Sequence, residues 1–202
     1  MSPITHFLAS WTLAEGCVED RRERFWICLA GLAPDLDGLG VIVDLANEWR
    51  GREASHYFFV YHHFLLHGLL GALLIVAIAR MAGVFRAKAL LLVFLSFHLH
   101  LLCDFFGARG PTRDDLWMIH YFGPLTYKGT IWWKHQWPLN GWQNMLITVL
   151  LLVWIIARAI RNGASPVSLF SQRLNDVVIT ALRQRWHLIC RRSGLQCARG
   201  CS

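Results

Sequence analysis

Charged residues are scarce in this chain of 202 residues, where Asp, Glu, Lys and Arg together make up 16%. Hydrophobic residues make up 55%, and the mean hydropathy is +0.38. An ordinary soluble domain carries about 25% charged residues, so this composition argues against one. Ten Trp and twelve Phe add the aromatic bulk that is typical of proteins at a membrane interface.

Several common functional motifs are also absent. The six Cys form no CxxC pair, and the last three, Cys190, Cys197 and Cys201, lack the spacing of a zinc knuckle. The chain contains no Gly-rich phosphate loop and no GxSxG nucleophile elbow. The sequence therefore gives no support for a cysteine-based zinc knuckle, a P-loop enzyme or an α/β-hydrolase.

Acidic residues are almost absent from the C-terminal part of the chain. From Arg158 onward there are eight Arg and one acidic residue, Asp176, so the net charge of +7 belongs to this tail. Leu174, Val177 and Ala181 recur there at helical spacing beside several Arg. This pattern predicts a basic amphipathic helix on an anionic membrane leaflet, with membrane lipids as partners. A nucleic-acid patch is the weaker alternative, and we expect no nucleic-acid partner.

Long apolar runs predict the fold. Residues 64–79, 87–106 and 145–160 are long enough, with their flanks, to cross a bilayer as helices. Two shorter runs precede them, and the second stops at Pro34, which predicts a helix break near that residue. We therefore predict an all-α, polytopic membrane helical bundle with four to five membrane segments, the first ones short. The membrane-embedded domain covers residues 1–163, and the basic tail with its amphipathic helix covers residues 164–202.

The distribution of basic residues predicts the orientation. If the tail is cytoplasmic, alternating segments place fourteen of the twenty Lys and Arg on the inner side. The positive-inside rule favours this topology, that of a multi-pass membrane protein with a cytoplasmic tail. Nine of the ten His then fall at the outer ends of helices or in outer loops. We expect these His to lie at one membrane level.

His and Asp residues recur in four short motifs that this topology brings to the same level. The motifs are T5-H6, P34-D35-L36-D37, H62-H-F-L-L-H67 and H100-L-L-C-D104. On a helix, His100 and Asp104 project from one face, one turn apart. Ionisable groups at membrane depth usually mark a function, although a buried polar pair is the structural alternative. The convergence of four motifs favours a metal or catalytic site.

Imidazoles and carboxylates are ligands of Zn²⁺, Mn²⁺ or Fe, and we expect Zn²⁺ or Mn²⁺ here. The predicted metal ligands are His6, Asp35, Asp37, His62, His67, His100 and Asp104. Asp35 and Asp37 are also the predicted catalytic carboxylates, one of which could orient a histidine or accept a proton from water. His63 stays an alternative to His62, because it lies four residues before His67. His98 points away from His100 and is predicted to bond to near neighbours.

The order and spacing of these motifs over residues 3–125 resemble the YdjM-like family of inner-membrane proteins, described as metal-dependent hydrolases. That family has a T-H near the start, then P-D-x-D, H-x4-H and H-x3-D. The resemblance implies that the His and Asp motifs bind a metal and that the protein is a hydrolase. This chain departs from the family in two places. It lacks the H-R-G-x-T-H-S form around His62, and Gly107 stands where the family often has Thr.

Residues 107–140 mix aromatic and basic side chains on the same side as the predicted site. Arg109, Arg113 and Lys128 could bind a phosphate group of a substrate. An aromatic belt at the membrane interface is the alternative explanation for this composition.

The sequence therefore predicts a membrane-embedded metal-dependent hydrolase with a phosphoester or lipid-linked substrate at the outer membrane face. A transporter or binding protein for metal ions or protons is the alternative, because His and Asp chains also serve as relays in membranes. A haem-binding electron carrier is a third possibility, since paired His can be axial ligands. Carboxylates beside the histidines argue against haem.

Overall fold

The computed structural model describes residues 1–53, 56–57, 62 and 66–193, and it is mostly helical. The α-helices in this part of the chain are α1 (Pro3–Cys17), α2 (Arg21–Ala30), α3 (Gly40–Trp49), α4 (Leu69–Met81), α5 (Ala87–Gly107), α6 (Trp142–Asn162) and α7 (Gln172–Ser193). Two 3-10 helices cover Pro34–Leu39 and Pro166–Leu169, and one antiparallel ribbon pairs β1 (Ile119–His120) with β2 (Thr130–Ile131). The prediction of an all-α class is confirmed, apart from this two-residue ribbon.

Two helices, α5 and α6, are 21 residues long and apolar enough to cross a membrane. Helix α2 and the segment Pro34–Trp49 also qualify when taken together, but they meet at a bend of 59°. This pair is either one broken span or a re-entrant loop, and its break lies next to Pro34, as predicted. The described helices thus include two that are apolar enough to span a membrane, or three if the bent pair counts as one span. They support membrane association, whereas the predicted four to five segments are not shown.

The surface of α6 is apolar where a soluble protein would be polar. Val149, Leu150, Val153 and Trp154 are each more than half exposed. A continuous apolar surface of this kind would promote aggregation in water. It is compatible with the hydrocarbon interior of a bilayer.

Large side chains and small residues share the core of the bundle. Trp11 of α1, Ile27 of α2 and Phe97 of α5 are each at most 1% exposed. Five alanines have no exposed surface: Ala14, Ala30, Ala72, Ala79 and Ala89. Small residues let helix backbones approach closely, which is a principal packing device of helices in membranes.

Five helix ends lie together at one end of the bundle, because the helices alternate in direction. Helices α1, α4 and α6 begin there, and α2 and α5 end there. Thr5 near the start of α1 contacts Thr148 of α6 through their hydroxyl oxygens, 2.7 Å apart. At the opposite end, Arg158 of α6 pairs with Glu15 of α1 at 3.0 Å. The motif-bearing segments therefore share one end of the bundle.

The segment between α5 and α6, which we call the excursion (residues 108–141), folds over that same end. Gln136 is 3% exposed; its amide group donates to the carbonyl of Trp117 and accepts from the Trp117 N–H, both at 3.0 Å. Asn144 of α6 donates to the carbonyl of Gly107 at 2.8 Å. Buried amides thus fix a segment that has little regular secondary structure.

Helix α7 packs on the bundle through one narrow face. Asn175 and Ile179 are 0% and 5% exposed, and Asn175 accepts from the Ser165 N–H at 2.8 Å. Leu174 and Val177, part of the predicted apolar stripe, are 56% and 63% exposed. The predicted helix is present, and these two residues of the stripe face outward rather than toward the bundle.

Replacing Ala79 of α4 by Leu should destabilise the protein, because the Ala79 side chain has no exposed surface. Overpacking a filled core costs about 1–3 kcal/mol. The control is Ala77→Leu in the same helix, where the side chain is exposed. That change should alter the free energy of unfolding by less than about 0.5 kcal/mol. Denaturation in detergent micelles measures both, and equal effects would contradict the packing of α4.

Candidate metal centre

His100 and Asp104 form the centre of the site, in the last two turns of α5. Their spacing of four residues places them on one face, with His100 Nε2 at 2.9 Å from Asp104 Oδ2. Both are buried, at 1% and 3% exposure. The geometry predicted for this pair is therefore present.

The orientation of the His100 ring is set by Gly31, just after the end of α2. His100 Nδ1 lies 2.9 Å from the Gly31 carbonyl oxygen. A carbonyl can only accept, so Nδ1 carries the hydrogen in this contact. We therefore assign the tautomer in which the lone pair of Nε2 points toward Asp104. Only glycine fits at position 31, because a Cβ there would overlap the hydroxyl of Ser10.

His67 approaches the same point from the segment just before α4. It has no exposed surface, and its Nδ1 lies 3.0 Å from Asp37 Oδ2. Its Nε2 lies 3.3 Å from His100 Nε2 and 3.7 Å from Asp104 Oδ2. With Nδ1 donating to Asp37, the Nε2 lone pair of His67 also faces the His100–Asp104 pair. A carboxylate that fixes a histidine in this way is a recurrent support of metal sites.

The electrostatics of this meeting point favour a positive charge. Two imidazole Nε2 atoms and one carboxylate oxygen converge, and none of them can bond to another without a proton or a cation between them. The pKa of His67, which lies just before α4, shows this effect. Burial lowers the pKa of His67, but hydrogen bonds and charges of Asp104 and Asp37 outweigh burial and raise it to about 9.

His6 and Asp35 complete the group. The His6 ring stacks on the His100 ring at 3.7 Å, and its Nε2 lies 3.2 Å from Asp104 Oδ1. Asp35 Oδ1 lies 3.7 Å from His100 Nε2. Ligand atoms of His6, Asp35, His100 and Asp104 all lie within 4.8 Å of one another, so the four residues could hold a metal ion.

Two atoms of this group are buried without a hydrogen-bond partner in the described part of the chain. They are His6 Nδ1 and Asp35 Oδ2. Buried polar atoms nearly always have partners, so unsatisfied ones at a site indicate a ligand that completes it. The donor set and these two atoms fit a divalent cation.

Asp37 has a different position from Asp35, although both come from the 3-10 helix Pro34–Leu39. Its carboxylate accepts from His62 Nδ1 at 2.8 Å, from His67 Nδ1 at 3.0 Å and from the Leu66 N–H at 3.1 Å. Asp37, His62 and His67 could also hold an ion as a second group. Because both His already use Nδ1 on Asp37, the hydrogen bonds favour a positioning role for Asp37. His63 lies outside the described residues.

Two further contacts near the site involve Met1 and His98. The α-amino group of Met1 lies against Asp104 Oδ1. His98 bonds to the Phe94 carbonyl and to the Tyr121 hydroxyl, each at 2.9 Å. The prediction that His98 bonds to neighbours away from the site is therefore confirmed.

A cavity of about 650 Å³ opens onto the metal centre from the excursion side. Asp35, Asp104 and His62 form its polar floor, and Arg109 lies on its wall. Of the three basic residues predicted to bind substrate, Arg109 alone is among the residues that line this cavity. Arg113 and Lys128 are exposed elsewhere on the excursion.

The sequence motifs did not identify several residues that position the site. Gly31 orients His100, and Gln136 donates to the Asp104 carbonyl at 3.2 Å. Trp117 lies edge-on to His62, with ring centroids 5.1 Å apart. Gly31 and Gln136 occur in no recognisable motif, and Trp117 could not be told from the other aromatic residues of the excursion.

Position 107, at the end of α5, has no room for a side chain. A Cβ there would overlap Trp137 Nε1 and Asn144 Oδ1, which are hydrogen-bonded to each other. The excursion packs so closely on the end of α5 that only glycine fits without a shift.

Comparison of the chain with protein families, curated proteins and solved structures gives no match.

Replacing Gly31 by Ala should destabilise the protein and disturb the site, because the new Cβ would overlap Ser10 and displace the carbonyl that orients His100. We expect a loss of about 1–3 kcal/mol, measured by unfolding in detergent. The control is Gly16→Ala near the end of α1, where a Cβ would meet no other atom within 4 Å. A Gly31→Ala protein as stable as the Gly16→Ala protein would contradict the close approach of Gly31 to Ser10.

Proposed function

We propose that this protein is a membrane-embedded, metal-dependent hydrolase of the YdjM-like family that acts on a phosphoester or lipid-linked substrate at the outer face of the membrane. One observation carries the proposal. The Nε2 atoms of His67 and His100 and Oδ2 of Asp104 converge within 3.7 Å, while the other ring nitrogens donate to Asp37 and Gly31. With these tautomers the three converging atoms are all acceptors, so a proton or a cation must lie among them, and the mixed nitrogen and oxygen donor set favours a divalent cation.

A divalent cation at this point would be held by His6, Asp35, His100 and Asp104, whose ligand atoms lie within 4.8 Å of one another, with His67 beside it. Mixed nitrogen and oxygen donors are typical of Zn²⁺ and Mn²⁺ sites. When bound, such an ion polarises the oxygen of a substrate and lowers the pKa of water at the site toward ~7.

Asp35 is placed to accept a proton. It borders the cavity, and its Oδ2 has no hydrogen-bond partner within the described segments. In ester hydrolysis the oxygen of water forms a bond to phosphorus, the bond from phosphorus to the ester oxygen breaks, and the alcohol leaves with a proton. We assign Asp35 the removal of the proton from the attacking water.

Helix directions support an inner-membrane protein with its tail in the cytoplasm. If α1, α2, α4, α5 and α6 all cross, there are five segments, and the metal centre lies at the end opposite to the tail. Arg21 donates to the Leu169 carbonyl at 2.9 Å, which joins the basic end of the bundle to the tail. The positive-inside rule then places the tail in the cytoplasm and the site at the outer face.

Packing beneath the site favours hydrolysis over ion transport. Phe97, Val93 and Ile27 have no exposed surface, and they fill the bundle below the cluster. A transporter requires access from both sides, and the cavity described here reaches the cluster from one side. A haem site is disfavoured as well, because Nε2 atoms 3.3 Å apart leave no space for a porphyrin plane.

Metal analysis of the purified protein tests the proposal. Wild-type protein should carry Zn²⁺ or Mn²⁺ at a fixed stoichiometry, and Asp104→Ala should lose it because the central carboxylate is gone. The control is His98→Ala, which changes a neighbouring histidine of the same helix and should keep the metal. Wild-type protein without stoichiometric metal, even after reconstitution with both ions, would contradict the proposal.

A second substitution separates a ligand from a positioning residue. Asp37→Asn should weaken metal affinity by about 10- to 100-fold, because it loosens the fixed orientation of His67 without removing a ligand. Asp104→Asn should have a larger effect, because the side chain at the centre of the ligand set loses its charge. Titration calorimetry with Zn²⁺ measures both constants. If Asp37→Asn reduces affinity as much as Asp104→Asn, then Asp37 is a ligand and the assigned role is wrong.

A further inference from the structure

Arg109 lies on the cavity wall, where hydrogen bonds to the backbone hold its side chain in place. It follows the end of α5, and its side chain is bound by two backbone carbonyls. Nε donates to Gln136 O at 2.9 Å, and Nη1 donates to Thr112 O at 2.7 Å. Gln136 also donates to the Asp104 carbonyl, so the guanidinium is tied to the metal-centre helix through one residue.

The positive charge of Arg109 has no carboxylate partner within ion-pair distance among the described residues. Asp115 borders the same cavity, but its carboxylate lies against Gly110 rather than on the guanidinium. Carbonyls fix the position of a guanidinium without neutralising it. The remaining N–H groups of Arg109 are therefore available to an anion, and a planar guanidinium suits phosphate oxygens.

The cavity floor by itself would repel an anion. Asp35, Asp104 and Asp115 all line the cavity, and the α-amino group of Met1 lies against Asp104 alone. An anionic ligand therefore needs further positive charge at the floor, which a divalent cation at the metal centre would supply. Anion binding should therefore require the divalent ion as well as Arg109.

The rest of the wall is apolar and continues onto exposed apolar surface. Leu39 and Leu139 border the cavity, and they are 52% and 49% exposed. Helix α3, which begins directly after Leu39, presents Ile42 and Leu45 at 60% and 58% exposure. A cavity with a charged floor and an apolar rim suits a ligand that has an anionic head and a hydrocarbon chain.

We infer that the cavity binds an alkyl phosphate, with the phosphate between the metal centre and Arg109 and the alkyl chain along Leu39 and Leu139. This inference rests on the proposed function, because a divalent metal supplies two of the three positive charges around the phosphate and Arg109 supplies the third. Arg109 then determines which substrates bind, and Arg113 and Lys128 do not contribute.

Binding of hexyl phosphate to the Zn²⁺-loaded protein in dodecyl maltoside tests the inference by titration calorimetry. Arg109→Gln should weaken binding by about tenfold to a hundredfold, because it removes a charge-assisted contact to the phosphate. Arg113→Gln and Lys128→Gln are matched controls on the same excursion and should leave the affinity unchanged. Equal affinity of wild type and Arg109→Gln would overturn the inference.

Two further ligands test separately the phosphate group and the alkyl chain of hexyl phosphate. Inorganic phosphate should bind at least tenfold more weakly than hexyl phosphate, because it lacks the alkyl chain. Hexanol should bind without dependence on Arg109 or Zn²⁺. Inorganic phosphate that binds as tightly as hexyl phosphate would overturn the alkyl part and indicate a site for free phosphate.

Arg109→Gln also breaks a contact that holds the excursion, so a second variant keeps the test decisive. Leu139→Glu places a negative charge on the cavity wall and leaves the hydrogen bonds of Arg109 intact. It should weaken hexyl phosphate binding while Zn²⁺ stays bound, and unchanged binding would overturn the inference.

Metal content is measured first on every sample. Bound Zn²⁺ without Arg109-dependent phosphate binding contradicts this inference alone, whereas a protein that binds no metal contradicts the proposed function and this inference with it.

Discussion

The convergence of hydrogen-bond acceptors at the end of α5 is the constraint on which the site depends. His67 Nε2 and His100 Nε2 lie 3.3 Å apart, and Asp104 Oδ2 faces both. Lone pairs at this separation repel unless a positive charge lies among them, and burial removes the water that would otherwise separate them. The cluster is thus stable only as a proton-binding or cation-binding unit.

A ring of supporting contacts makes this arrangement possible at the end of an apolar bundle. Gly31 and Asp37 each take the outer nitrogen of one histidine, and Gln136 takes the carbonyl of Asp104. Each support comes from a different segment of the chain. Ionisable groups are expensive in a membrane, and support of this kind is characteristic of polar groups kept there for a function. The supports also fix which atoms face the centre, so the side chains that could hold a metal ion are already oriented by the protein.

The excursion forms much of the wall of the cavity that opens onto the candidate metal centre. Its buried amides hold Trp117 beside His62, and its first residues carry Arg109 to the cavity wall. Carboxylates at the cavity floor and a guanidinium on its wall have opposite charges, and an apolar rim surrounds both. This distribution of charge is the basis of the proposal that a cation and an anionic ligand bind here together.

Local patterns in the sequence determined the helices and the pairs within them, since helical geometry depends on residues only a few positions apart. The shared face of His100 and Asp104 and the divergence of His98 follow from the helical period, and the break at Pro34 follows from the restriction that proline puts on the preceding residue. Charge asymmetry and helix direction also suggested one level for the four motifs, and the structure brings the described ones together.

Tertiary structure alone decided how Asp35 and Asp37 divide their roles, because their contacts come from α5 and from the segment before α4. It alone distinguished Arg109 from Arg113 and Lys128, and it alone showed why Gly31 and Gly107 cannot carry a side chain. Those features depend on the approach of segments far apart in sequence, and no local periodicity encodes such an approach.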